Sequence, residues 1–172
     1  MTNTLLITAD QVREFIGVYD NSIEDNYLEV SIRNMQFLEM KNILGQTLFT
    51  SLITDLENNT LSGTSETLLN NYVLPSLSYY AASNVLYEIS YKITRKGLLR
   101  QLDDSSETPS DAMISMRAKQ YKDIATSYAN DLIQYLNDNV DTYTEYPSDS
   151  GTPSKRSGSS IFTGYNKKVS RD

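Results

Sequence analysis

Between residues 68 and 95 the chain reads LLNNYVLPSLSYYAASNVLYEISYKITR, and no charged residue appears in it until Glu88. Leu69, Tyr72, Val73, Leu77, Tyr80, Ala81, Leu86, Ile89, Tyr91 and Ile93 fall on more than one helical face. A helix that is apolar over most of its circumference has to be touched by neighbours on several sides. The expected fold is therefore all-α: a compact bundle of about five helices around this central one. Pro75 either opens the helix proper, where a missing N–H costs nothing, or kinks a longer one. Arg95, Lys96 and Gly97 have the cation-then-glycine order of a helix C-terminus.

Composition narrows the chemistry. The chain has neither cysteine nor histidine, so disulfides and thiolate chemistry are excluded. The commonest general base and metal ligand is missing too. Residues 1–146 carry ten Lys/Arg against twenty Asp/Glu, a balance of −10, while residues 147–172 carry five cations against two acids. An acidic body is a poor surface for phosphate, since affinity for nucleic acid comes largely from cations that displace counterions. The first 14 residues have no basic and apolar leader pattern, and no apolar run approaches the roughly 20 residues that span a bilayer. We expect a soluble protein made in a cytoplasm, with no membrane partner. Thirteen tyrosines without a tryptophan suit half-buried positions, where the ring packs and the hydroxyl stays wet.

Taken in order, Thr8 and Gln11 have the spacing of a capping box and open a short helix with Val12, Phe15 and Ile16 on one side, stopped by Gly17. Asn21 or Ser22 is placed to cap a longer helix with Glu24 and Asp25 in its first turn. Ile23, Tyr27, Val30 and Asn34 make one stripe of that helix, and Leu28, Ile32, Met35 and Glu39 another. It closes at Gly45, where a left-handed cap is expected. Thr47 is placed to cap the next helix, with Leu48, Phe49, Leu52, Ile53 and Leu56 in amphipathic order. Residues 58–65 read as a polar turn. Residues 98–102 are ambiguous between a short strand and continued helix, and 103–111 read as a loop in which Pro109 and Ser110 start the last helix. In that helix Ile114, Ala118, Tyr121, Ala125, Tyr128, Leu132 and Tyr135 alternate steps of four and three. This is a seven-residue seam that packs along another helix at a shallow angle. We expect it to lie on the core helix of its own chain, because alternating Tyr and Ala sizes suit a tailored groove better than a symmetric two-chain zipper.

The expected division is a helical domain over 1–140 and a Ser/Gly/Pro-rich basic arm over 141–172. Serine, glycine and proline fill 12 of the 26 positions from 147 onward, and such a segment buries too little apolar surface to offset its ordering entropy. Its order is expected to come from other chains, the alternative being attachment to its own domain. Ile161, Phe162 and Tyr165 are the natural anchors, and Lys155, Arg156, Lys167 and Lys168 are drawn to an acidic partner.

Catalytic candidates are thin. Glu24 and Asp25 are explained by a helix N-terminus, Asp103 and Asp104 by a loop, and Glu88 has Lys92 four residues on as an ion-pair partner. No calcium loop, phosphate-binding glycine loop or nucleophile elbow is present. No enzymatic activity, cofactor or metal is expected.

A short capped helix (ITADQVREFI), a helix closing on LGQTLF, a long tyrosine- and alanine-bearing helix reaching ITRKGLLR, an acidic loop and a final amphipathic helix follow one another over residues 5–139. This order resembles the head-to-tail connector, or adaptor, proteins of tailed bacteriophages, and most closely the ring proteins of crAss-like phages. The resemblance implies a structural virion protein. It would form a dodecameric ring in the neck, bind the portal and other neck or tail proteins, and leave an axial channel through which DNA passes without specific binding. The rival expectation from the residues is a cytoplasmic helical module that binds another protein without forming a ring. A helix-turn-helix regulator fits less well, since residues 23–44 hold only Arg33 and Lys41 against four acids.

Overall fold

The computed structural model describes residues 4–17, 23–94, 97–100 and 110–146. Helix α1 is Ala9–Ile16, opened by the expected capping box. The Thr8 hydroxyl accepts from the Gln11 N–H at 3.2 Å, and the Thr8 N–H donates to Gln11 Oε1 at 2.8 Å. Gly17 closes the helix at φ +75°, where its N–H reaches back to the Arg13 and Glu14 carbonyls.

Helix α2 starts as Asp25–Met35, passes through a π-helical turn, Gln36–Met40, and closes with one α turn, Lys41–Leu44. Its N-cap is Glu24, with no side-chain bond; Asn21 and Ser22 lie outside the described residues. Of its two expected stripes, only the second is consistently inward, with Leu28 and Ile32 buried. In the first, Val30 and Asn34 face outward. Gly45 has φ +78° but ψ 159°, so it is not the left-handed cap the sequence suggested. This backbone region is essentially restricted to glycine, and it lets one residue end α2 and serve as N-cap of α3, Gln46–Asn58. Thr47 is therefore inside α3 and not its cap.

Helix α4 begins earlier than the apolar run, as Gly63–Leu68, widens into a π turn at Leu69–Val73 and continues as Leu74–Ser90. Residues 63–65, expected in a turn, are its first turn. The π turn resolves the question of Pro75. A proline inside an α-helix has no N–H for the carbonyl four residues back and clashes with it. The preceding π turn, where the Leu74 N–H bonds to the Leu69 carbonyl, changes the hydrogen-bond ladder immediately before the ring, so α4 passes through Pro75 without ending.

The far end of the core stretch differs from expectation. α4 stops at Ser90, and Tyr91–Thr94 forms strand β1, antiparallel to β2, Gly97–Arg100, with Tyr91 opposite Arg100 and Thr94 opposite Gly97. Gly97 is thus a strand residue and not a helix cap, and the ambiguity over 98–102 falls to strand as far as Arg100. Tyr, Ile and Thr in YKIT lose side-chain freedom in a helix and favour a pleated strand. Helix α5 is Asp111–Asp138, capped by the Ser110 hydroxyl, which accepts from the Met113 N–H at 3.3 Å.

The fold is all-α: among the described residues five helices carry the core, with one short antiparallel strand pair after α4. α4 is central, packed against α5, α2 and α1. Leu77, Ala81 and Val85 on α4 lie with Leu28, Ile32, Leu52, Leu132 and Leu136 in one continuous core. After α5 the chain turns back, and Tyr143, within the residues expected to form the arm, is buried in that core.

Candidate interaction surface

The α4–α5 seam sets the geometry of the surface. Ser76 Oγ donates to the Ala125 carbonyl at 3.2 Å and Ser83 Oγ to the Ala118 carbonyl at 2.8 Å. Both pairs step by seven residues, forward on α4 and backward on α5, as antiparallel helices crossing at a shallow angle require. A second ladder of the same step runs beside it. Tyr72 stacks on Tyr135 at 3.9 Å and Tyr79 on Tyr128 at 5.9 Å between ring centroids, with Phe15 of α1 edge-on to Tyr79 and Tyr128. Alanines admit the serines and tyrosines fill the wider gaps, so the expected seam is intramolecular. At its lower end Tyr143 donates its hydroxyl to the Thr64 carbonyl at 2.9 Å and lies 3.1 Å from the Tyr135 hydroxyl. Burial, then the contacts with Tyr135, push the Tyr143 phenol well above its ordinary pKa.

At the other end α2, α4 and α5 together border an open depression. Met35, Leu38 and Glu39 of α2, Tyr80, Ser83, Asn84 and Tyr87 of α4, and Ala118, Lys119 and Lys122 of α5 line a cleft of about 410 Å³. Its floor is fixed by bonded groups: Asn84 Nδ2 donates to Ser31 Oγ at 3.1 Å, and Ser83 holds α5 as described. Burial raises the Tyr80 pKa, against a smaller opposing effect of its contact with Thr126, while the nearby Glu39 charge adds to the rise. The rim is apolar and open, with Leu38 59% and Tyr87 45% exposed.

A second exposed apolar set lies on the outer side of α5. Met113 (57% exposed), Met116 (59%) and Ile124 (39%) follow helical spacing through Gln120, on the side away from Ala118 and Ala125. The sequence signal for this stripe was present, but the stronger seam on the opposite face overshadowed it. The cleft had no such signal, because its lining comes from three helices far apart in the sequence.

Elsewhere the polar groups serve the fold. Arg13, a buried residue of α1, bonds Asp10 at 2.9 Å, the Ile23 carbonyl at 2.6 Å and Asp25. Its bond to Asp25 is the main cause of its raised pKa. Gln36, in the π turn of α2, receives the Leu6 N–H at 3.0 Å and donates to the Thr4 carbonyl at 3.1 Å, pinning the segment before α1. Of the acids weighed as catalytic candidates, Asp25 pairs with Arg13, Glu88 is exposed on α4, and Asp103 and Asp104 lie outside the described residues. Among the described residues no group of three or more Asp or Glu is placed to hold a metal, and no helix is long and apolar enough to cross a membrane. The expected arm contacts, Lys155, Arg156, Ile161, Phe162, Tyr165, Lys167 and Lys168, all lie outside the described residues.

Residues 40–156 match the model of a family described as "Family of unknown function (DUF6712)", and the chain belongs to that family. No curated protein and no solved structure matches the chain.

Proposed function

We propose that this DUF6712 protein is a structural subunit of the neck of a tailed-phage virion, where copies assemble head to tail into a ring that joins the portal vertex to the tail. The observation that carries this reading is the presence of two exposed apolar surfaces of different shape on one chain: the cleft rimmed by Leu38 and Tyr87, and the stripe of Met113, Met116 and Ile124. A two-fold dimer needs one self-complementary patch. Two unlike patches define a heterologous contact, which closes into a ring when the rotation between copies permits. The resemblance in the order of elements to phage connector proteins points the same way. The acidic balance of residues 1–146 suits the wall of a channel that lets phosphates pass without holding them. On this reading the chain is not an enzyme, and the portal and other neck proteins are its partners above and below. The cationic arm, 147–172, serves as an assembly arm on one of them or on a sister subunit.

Electron microscopy of the purified full-length protein tests the assembly directly. Closed rings with an axial opening are expected. A protein that remains monomeric or forms only two-fold dimers, alone and with a portal protein present, would instead fit a cytoplasmic interaction module.

A further inference from the structure

We infer that the cleft between α2, α4 and α5 receives the outer α5 stripe of a second copy of this chain, an assignment that rests on the ring reading above. A chain whose first 146 residues carry −10 repels its own copies unless cations stand at the contact. Lys119 and Lys122 stand at the cleft, beside the apolar lining of Met35, Leu38 and Tyr87. Lys119 also reaches Asp123 of its own helix at 3.0 Å, with both side chains largely exposed, so that pair holds it weakly.

The stripe has the opposite sign. Asp123 borders Met116 and Gln120 on the helix surface, and Asp131 follows Ile124 by seven residues, two turns along the same face. Seating Met116 against Leu38 and Tyr87 therefore brings Asp123, about 10 Å along the helix, towards Lys119 and Lys122. Glu39 stands on the opposite wall of the cleft, and the cation flanking the stripe is Arg117, which is exposed and also bonds Gln120 and the Tyr121 hydroxyl of its own helix. Methionine suits such a contact, since its unbranched side chain fits irregular gaps and packs well on aromatic rings. The arm over 147–172 is a poorer occupant, because its five cations would meet the two lysines. The cleft and the stripe use different sides of α5, so copies joined this way are related by a heterologous contact and follow one another in a single sense.

Because the chain has no cysteine, cross-linking reports this contact cleanly. Full-length Leu38→Cys/Met116→Cys protein, oxidised in solution, should give a ladder of trimers, tetramers and larger species. A mixture of the two single variants should stop at heterodimers, and neither single variant should cross-link alone. Lys122→Asp should abolish the ladder, and adding Asp123→Lys should restore it. Dimers of Leu38→Cys alone would show a two-fold contact and overturn the assignment. Rings seen by mass photometry without any ladder would overturn these surfaces while leaving the ring reading standing. A chain that remains monomeric at every concentration, with no ladder, would overturn both.

Discussion

Replacing Leu77 with Ala tests whether α4 is the element on which the bundle is built. Leu77 is fully buried in α4, in one core with residues of α1, α2, α3 and α5. Deleting three carbon groups from such a position loses about 2.4 kcal/mol of transfer free energy at ~0.8 kcal/mol per group. A cavity that cannot fully collapse adds up to about 2 kcal/mol more, giving an expected cost of about 2.4–4.4 kcal/mol. Leu86, nine residues along the same helix, is only half-buried, next to exposed Tyr87 and Glu88. The same substitution there loses about half the transfer term and leaves little cavity, for about 1–1.5 kcal/mol. Urea unfolding of the full-length protein reads both, the midpoint falling with little change in slope. A Leu77→Ala cost below about 1 kcal/mol, or equal costs at the two positions, would refute the central role given to α4.

Three further outcomes are expected. Ala125→Leu should destabilise by about 1–3 kcal/mol, because the added carbons push α5 off α4 where Ser76 bonds the Ala125 carbonyl; a neutral result in urea unfolding would show that the seam has slack. Tyr143→Phe should cost about 1–2 kcal/mol by leaving the Thr64 carbonyl without its hydroxyl donor. Since the folded-state pKa of Tyr143 is raised, its share of stability is complete below the ordinary tyrosine value of about 10 and declines as pH climbs from there through the folded value; an unfolding series from neutral to alkaline pH should show a shallower decline in the Phe variant, and equal slopes would contradict the burial. Deleting residues 147–172 should leave the melting temperature of the monomer nearly unchanged while neck assembly fails, and intact particles assembled from truncated protein would remove the arm from the account.

What the residues revealed and what they concealed follow from locality. The capping box at Thr8 and Gln11, the Ser110 cap and the seven-residue seam of α5 were legible because each depends on neighbours within a turn or on a strict period. The seam also showed its own logic, with alanine wherever an α4 serine approaches and tyrosine where the helices stand apart. The π turns at Gln36–Met40 and Leu69–Val73 were not legible, since they change a hydrogen-bond ladder without changing the apolar pattern. The run into Thr94 looked helical because hydrophobicity continued past Ser90, although YKIT carries the β-branched and aromatic residues that favour a strand. Leu86 and Ile89 read as core for the same reason, yet both are only half-buried, with Ile89 packed on the edge of the core. The cleft was invisible for a different reason: it is a gap between three helices, and no one of them records it.

The most direct test of the central claim is cryo-electron microscopy of intact tailed particles recovered from cells that express this chain. The account predicts a closed ring between portal and tail, with the α5 stripe of each copy seated in the α2–α4–α5 cleft of the next and acidic side chains lining the opening. A map in which the neck is built entirely of other chains, with this protein absent from the particle, would contradict it.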